Sequence, residues 1–538
     1  MRLFPRTETA RVFLAAMLAC IVAGWPESFT RGTYWDGTVG VMHQAVFLHE
    51  TGMDYSRLFY QEAQYAFGGA RTYPFSVYPP AQALLMSATR SPALWLALNH
   101  LLVFAAAAGC VTLMFRIVRQ HLPGVNARLA AAVMVSQAFF LSQANAINLE
   151  IPVMLGGTLA LHAFLGRRPW AAAGWLVAAS LIKLSLLPFA LVLGAIQLLR
   201  ARRWREALAA LPFFALVWGF RKIEAVGSRG FHMNDLSKDW SFQTQRLTTW
   251  REVIDQTWLS FSRVPDLVLM AGACLVLCGV AALWHAMRAG RSQPGGTDAK
   301  ALAAWRGLSE RPWLLIAAAA GGNALLFNLL IKMNLPRYLF VNFPMLLPGM
   351  FALLALLPRR WSSAALGLWL AVNLINLHGW IPRTVFGPIA IARGQQPEHL
   401  TANGFILERS LEGLADLRLQ TRAARLLEEK YADRIIVAPW PLLHQFASPW
   451  FGHVRKPLRV MSSHWPSLGW AGVRQYWYVH GAEEARRGVD PSQFVWVWMD
   501  NVFARPEPSE QGRRTIETLR EGDLKIEFFV YDDWPVPK

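Results

Sequence analysis

The sequence predicts a polytopic α-helical membrane protein with about 11 transmembrane helices and a C-terminal extracytoplasmic α/β domain. Three observations carry that prediction. The 538 residues are 54% hydrophobic and only 16% charged, with a mean hydropathy of +0.26, which is too apolar for an ordinary soluble chain. The basic residues fall in short clusters between long apolar runs. After Trp380 the composition turns mixed and polar.

The formal charge of +18 does not form one basic surface interleaved with aromatics, so the pattern is topogenic and no nucleic-acid partner is expected. Cys20, Cys110, Cys274 and Cys278 all lie inside apolar runs. They offer neither a disulfide framework nor a metal knuckle.

A transmembrane helix needs roughly 20 apolar residues. The first candidate runs from Arg11 to Glu27, behind Arg2 and Arg6. Ala23-Gly24-Trp25-Pro26 offers no small-residue cleavage site, so this is read as a retained span rather than a signal peptide. A polar interval, residues 28–90, follows and contains an amphipathic piece from Val39 to His49. Span two covers Pro92 to Phe115 and ends at Arg116, Arg119 and Arg128. Span three runs from Leu129 to Ala144, and Asn145 to Glu150 leads into span four, Ile151 to Leu165, closed by Arg167 and Arg168.

The apolar stretch from Trp170 to Leu199 is too long for one span and short for two. Charge parity decides between them. A single helix would put the Arg167-Arg168 pair and the cluster Arg200, Arg202, Arg203 and Arg205 on opposite sides, against the positive-inside rule. Two short helices turning near Lys183-Leu184-Ser185, with Pro188 just inside the second, keep both clusters cytoplasmic. A turn that dips below the surface is tolerated only where it faces protein or a water-filled cavity, so a polar cavity is expected on the outer side here.

Ala207 to Phe220 crosses outward, and residues 221–263 form a second large outer loop. Leu267 to Met287 returns to a basic loop, Trp313 to Ile331 and Tyr338 to Leu357 flank the turn from Lys332 to Arg337, and Trp361 to Trp380 exits last. Residues 1–380 are therefore expected to form the membrane domain and residues 381–538 a small soluble α/β domain. In the latter, Ala415 to Lys430 reads as a helix, and residues 434–437, 458–461, 494–498 and 525–530 read as strands. This topology leaves the N-terminus cytoplasmic and the C-terminal domain outside.

Ionisable residues at the edge of apolar helices are expensive unless they have partners or work. Asp36, just after span one, is either a helix cap before Gly37-Thr38-Val39 or a reactive carboxylate, and the two are compatible. Glu150 is likewise a cap before Ile151-Pro152 or a second acid of the same cavity. Two converging carboxylates suit deprotonation of an acceptor hydroxyl during displacement at an anomeric carbon. Lys183 and Arg337 lie at outer helix ends, against the charge bias. They either snorkel to lipid headgroups or hold a phosphate, Lys as a point charge and Arg as a fork. His232, Asp235 and Asp239 in the second outer loop read as solvated. His43 and Glu62 leave a divalent metal open, yet two separated residues define no metal site, and no cofactor is otherwise implied.

These residues sit in short motifs that occur in a fixed order: Asp36 after span one, Tyr78-Pro79-Pro80-Ala81 before the next helix, Ser142-Gln143-Ala144 through Asn148-Leu149-Glu150, Gly174-Trp175 to Ile182-Lys183, and Pro336-Arg337-Tyr338-Leu339 to Pro344. In this order they resemble the GT-C superfamily of integral membrane glycosyltransferases that use polyprenyl-phosphate sugars, especially the bacterial group related to protein O-mannosyltransferase and lipid A aminoarabinose transferase. The resemblance covers roughly the first 350 residues. The chain departs from the family pattern at Gly37, where relatives often carry a second acid, at Glu150, where Asp is common, and at Asn99, near the position of a usual Arg.

The resemblance implies a GT-C-like fold and an inverting glycosyltransferase. It would move a sugar from a polyprenyl-phosphate donor in the bilayer to an envelope lipid, glycan or protein acceptor, at the outer face of a bacterial cytoplasmic membrane. Asp36 would be the catalytic base, Glu150 the second acid, and Lys183 and Arg337 the contacts to the lipid phosphate. A transporter or flippase of lipid-linked sugars is the alternative from another class. It is disfavoured because the chain shows a single short helical pair, no repeat, and charges gathered at the outer rim. A scaffold that binds cell-wall glycan without catalysis would leave Asp36 replaceable.

Overall fold

The computed structural model describes residues 7–34, 38, 42–54, 76–201, 203–219, 315–323, 343–378, 411, 413–439, 442–462, 470–471, 493–499, 512–522 and 524–532. Two apolar cores organise them. The larger is built from helices between residues 16 and 369, and the smaller from the C-terminal residues together with Tyr34 of the first loop.

The helical half follows its end signals closely. Glu8–Ala23 starts at Thr7, whose side chain accepts from the Ala10 amide. Pro92–His121 starts at Ser91, whose hydroxyl accepts from Leu94 N, with Pro92 in the first turn where its missing N–H costs nothing. This 30-residue helix is, among the described residues, the one long and apolar enough to cross a membrane. Glu150–Leu165 and Leu187–Arg200 are apolar but shorter. Every exposed large hydrophobic among the described residues lies between Leu14 and Ile375, Leu199 at 86% and Trp25 at 71% being the most open. An apolar surface of that kind matches the membrane surface that the hydropathy of the sequence predicts.

Span three is not one helix. It is divided into Ala127–Val135 and Ala138–Ala144, with the break at Ser136-Gln137. Three side-chain contacts satisfy the polar groups there: Asn373 Nδ2 donates to Val133 O at 3.0 Å and to Ser136 Oγ at 2.9 Å, and Gln137 Nε2 donates to Asn373 Oδ1 at 3.2 Å. A broken helix inside an apolar bundle needs such partners, and they come from the Arg359–Ile375 helix, more than 200 residues away in sequence.

The stretch from Trp170 to Leu199 divides as parity demanded. Pro169–Ser180 is followed by a 3₁₀ turn, Leu184–Leu186, and then Leu187–Arg200 with Pro188 in its first turn. Gly156 lets the first of these lie against Glu150–Leu165, since a Cβ there would stand 2.7 Å from Ala179 Cβ. The basic clusters gather at the opposite end from the turn. Arg200 lies over the ring of Phe164, which precedes Arg167 and Arg168 in the chain, at 5.8 Å. Glu8 accepts from Arg119 at 2.9 Å and from Arg128 at 2.6 Å, so the N-terminal helix and the loop between spans two and three share one end. Residues 211–219 and 315–323 are helical, as is Phe343–Leu354. The span expected from Leu267 to Met287 lies outside the described residues.

The C-terminal residues form a six-stranded sheet in the order β3-β2-β1-β4-β6-β5. Its strands are β1 Ile435–Ala438, β2 Arg459–Ser462, β3 Trp470–Ala471, β4 Phe494–Met499, β5 Arg513–Glu521 and β6 Leu524–Tyr531. β1 runs parallel to β2 and β4 and is buried throughout, which is why it reads as a continuous apolar run. β4–β6 and β5–β6 are antiparallel. The edge strand β5, rich in Arg and Glu, escapes a hydropathy reading, and charge on an edge is how sheets resist edge-to-edge pairing. The Gly413–Lys430 helix packs on the sheet through Leu417, Leu419, Ala423, Ala424 and Leu427.

Asp416 lies buried in that helix, where Gln420 Nε2 donates to its Oδ2 at 2.8 Å. Burial pushes its carboxyl up to about 7, against the opposing pull of the Tyr34 hydroxyl and the Gln420 amide. An unfolded Asp titrates near 3.9, so the folded state holds this proton more tightly. Its stabilising contribution is complete below about pH 4 and is lost as pH rises through about 7. Asp416→Asn should therefore flatten the fall in melting temperature between about pH 4 and 7. Equal slopes in the two proteins would show that Asp416 does not drive it.

Candidate active site

Glu150 and Lys183, assigned separate tasks from sequence, form one buried ion pair. Lys183 Nζ donates to Glu150 Oε1 at 2.6 Å, and the two side chains are 9% and 1% exposed. Glu150 opens its helix, where the positive end of the helix dipole favours a carboxylate. Lys183 sits in the turn between the two short helices, with its own amide held by Ala179 O. The other carboxylate oxygen, Glu150 Oε2, has no hydrogen-bond partner among the described residues. A buried carboxylate oxygen in that state is an acceptor waiting for a donor.

The turn is pinned to the end of the first loop. Ser76 Oγ donates to Ile182 O at 3.0 Å, and Val77 N donates to Leu181 O at 2.9 Å. Those contacts bring Tyr78, first residue of the Tyr78–Thr89 helix, next to the pair. Its phenol is pushed up to about 12, by burial first and, against the Gln82 hydrogen bond, by the Glu150 carboxylate. Tyr78 therefore remains a neutral donor at neutral pH. Gln82 Oε1 in turn accepts from Trp95 Nε1 at 3.0 Å, so Tyr78 is oriented from the Pro92–His121 helix.

A second buried cation braces the same end. Arg31, 4% exposed, donates to Gly24 O at 2.7 Å and to Asn145 Oδ1 at 3.0 Å. Burial lowers its pKa to about 10, with Glu27 opposing, so it stays charged. Asn145 Nδ2 donates to Cys20 O and Leu141 O, each at 3.0 Å. Nothing in the sequence marked Arg31, because its partner stands 114 residues away. Asn145 lay in the polar interval before Glu150, a signal of position without one of role.

Asp36 and Arg337 lie outside the described residues, as does Glu62. The chain on either side of residues 35–37 is anchored, with Thr33 Oγ1 and Thr38 Oγ1 2.9 Å apart. His43 is buried against His444, their ring centroids 4.4 Å apart, and burial holds His43 down to about 4 and His444 well below its ordinary value. Among the described residues no three His, Cys, Asp or Glu side chains converge. Glu150 already faces an ammonium at 2.6 Å, which would repel a divalent cation. The described donors do not fit a metal.

No family model matches the chain, and no curated protein matches it. Among solved structures it is similar to ArnT from Cupriavidus metallidurans. With the apo state it shares 15% identity at a TM-score of 0.46, over 96% of this chain and 97% of that one. With the form bound to undecaprenyl phosphate it shares 14% identity at a TM-score of 0.44, over 97% of this chain and 98% of that one. Values this low leave the roles of individual residues to the geometry of the chain itself.

Proposed function

We propose that the protein is a GT-C-type glycosyltransferase. It takes a sugar from a polyprenyl-phosphate carrier and passes it, with inversion, to a hydroxyl of an envelope lipid, glycan or protein at the outer face of the cytoplasmic membrane. The observation that carries this reading is the buried Glu150–Lys183 pair, held at the turn of two short helices and at the bundle end opposite the basic clusters. A cation kept in a water-poor site is suited to an anionic leaving group, whose charge it neutralises without protonation.

In the reaction the acceptor O–H gives its proton to Asp36, the acceptor oxygen attacks the anomeric carbon, and the bond from that carbon to the phosphate oxygen breaks. The polyprenyl phosphate leaves with the electron pair. Lys183 brings a positive charge to the site, with one N–H donated to Glu150. Glu150 thereby aims the ammonium at the phosphate, and Arg337 serves as a second, forked contact. Glu150 Oε2 is suited to accept a sugar hydroxyl. Residues 1–380 supply this chemistry, and residues 381–538 form the outer soluble domain.

The test is direct. Purified protein in lipid nanodiscs is given radiolabelled undecaprenyl-phosphate sugars and a membrane extract, and labelled products are resolved. Label appearing in an acceptor, with release of the phosphate carrier, supports the reading. Movement of intact lipid-linked sugar across the bilayer without transfer would replace it with the flippase.

A further inference from the structure

The C-terminal unit does more than sit beside the helices, because it holds one residue of the first loop by its main chain. Thr33 N donates to Phe451 O at 2.8 Å. Thr33 O accepts from His453 Nε2 at 2.9 Å and from Gln445 Nε2 at 3.1 Å. Both side chains are buried. The backbones meet closely: a Cβ on Gly32 would lie 2.7 Å from Phe451 O and collide with His453, and one on Gly452, at φ +84°, would lie 2.8 Å from Gly32 Cα. Tyr34, the next residue along, is counted within the C-terminal core.

The same short segment is tied inward. Arg31 binds Asn145, five residues before Glu150, and His100 Nε2 holds Arg31 O at 2.8 Å. Phe451 packs in one apolar cluster with Ile147 and Leu149, which flank the approach to Glu150. A path thus runs by hydrogen bonds from His453 and Gln445 to Thr33, along the backbone to Arg31, by hydrogen bond to Asn145, and from there along the chain to the Glu150–Lys183 pair. Side-chain contacts alone would only stick two surfaces together. Saturating the amide and carbonyl of one loop residue fixes where its backbone stands.

We propose that His453 and Gln445 are positioning residues of the transfer site, through which the C-terminal unit sets residues 31–34 relative to the Glu150–Lys183 pair. This rests on the transferase reading above. The chemistry of His453 suits a fixed post. A carbonyl only accepts, so Nε2 must carry the hydrogen, while Nδ1 faces the Thr421 hydroxyl at 3.2 Å. Burial holds the ring down to about 4, so it stays neutral at neutral pH.

The experiment compares wild type, His453→Leu, His453→Gln and Gln445→Met in the nanodisc transfer assay, with melting temperature and size-exclusion profile checked for each. Misplacing a reacting group by about 1 Å costs on the order of 100-fold. His453→Leu should lose about 10- to 100-fold in kcat with KM for the donor within about threefold. His453→Gln keeps an N–H at a similar reach and should recover most of the rate. Gln445→Met removes one of the two donors at nearly constant shape and should fall between, and it carries the comparison if His453→Leu does not fold.

An active wild type whose His453→Leu or Gln445→Met variant keeps its kcat overturns the positioning role alone, as does a His453→Gln variant as slow as the leucine. A wild type that transfers from no donor overturns the transferase reading instead.

Discussion

Asp36→Asn lowers kcat for sugar transfer by about 10²- to 10⁴-fold, the range a positioned general base supplies, and leaves carrier binding close to wild type. The change is isosteric and removes only the proton acceptor. The acceptor hydroxyl then has no base, while the phosphate contacts persist. The measurement is single-turnover transfer with donor in excess, beside a binding isotherm for undecaprenyl phosphate. A variant that transfers at the wild-type rate would remove Asp36 from the mechanism and leave its cap role standing. Lost carrier binding together with lost rate would instead make it part of the binding surface.

The second large effect is on Lys183. Its Nζ lies 2.6 Å from Glu150 Oε1 with both side chains buried, so Lys183→Met strips the buried Glu150 carboxylate of its ion-pair partner. Breaking a buried pair by removing one partner typically costs about 3–5 kcal/mol, whereas replacing both partners by apolar residues of similar size is often neutral. Lys183→Met should therefore lower the melting temperature strongly, and adding Glu150→Met should restore it. Transfer should stay abolished in both, because the phosphate contact is gone. The double variant separates stability from chemistry. If it melts no higher than the single, the pair is not the stabilising unit the geometry describes. If it transfers, Lys183 does not hold the leaving group.

Much of the helical layout was legible along the chain. Pro92–His121 announces itself by length, a Ser cap and an early Pro. The turn at Lys183 followed from an apolar run of awkward length and from the rule that basic clusters share a side. In the C-terminal part, β1, β2, β4 and β6 fell close to their apolar runs, since buried strands carry their own hydropathy signal. What escaped was of another kind. The break at Ser136-Gln137 is tolerated because Asn373 satisfies the polar groups it exposes, and no local pattern reports a partner so far along the chain. Charged β5 lacks the alternation that identifies a strand.

The site divides along the same line. Charge and hydropathy bias, which are local, determined that Glu150 and Lys183 stand at helix ends on one side of the bundle. Tertiary structure alone decided that the two are one ion pair, that Tyr78 lies against it, and that Arg31 is bound to Asn145 and Thr33 to His453 and Gln445. Each of those contacts joins residues tens to hundreds of positions apart. Their energy depends on a separation of a few ångströms and on exclusion from water, and neither quantity exists until the chain has packed.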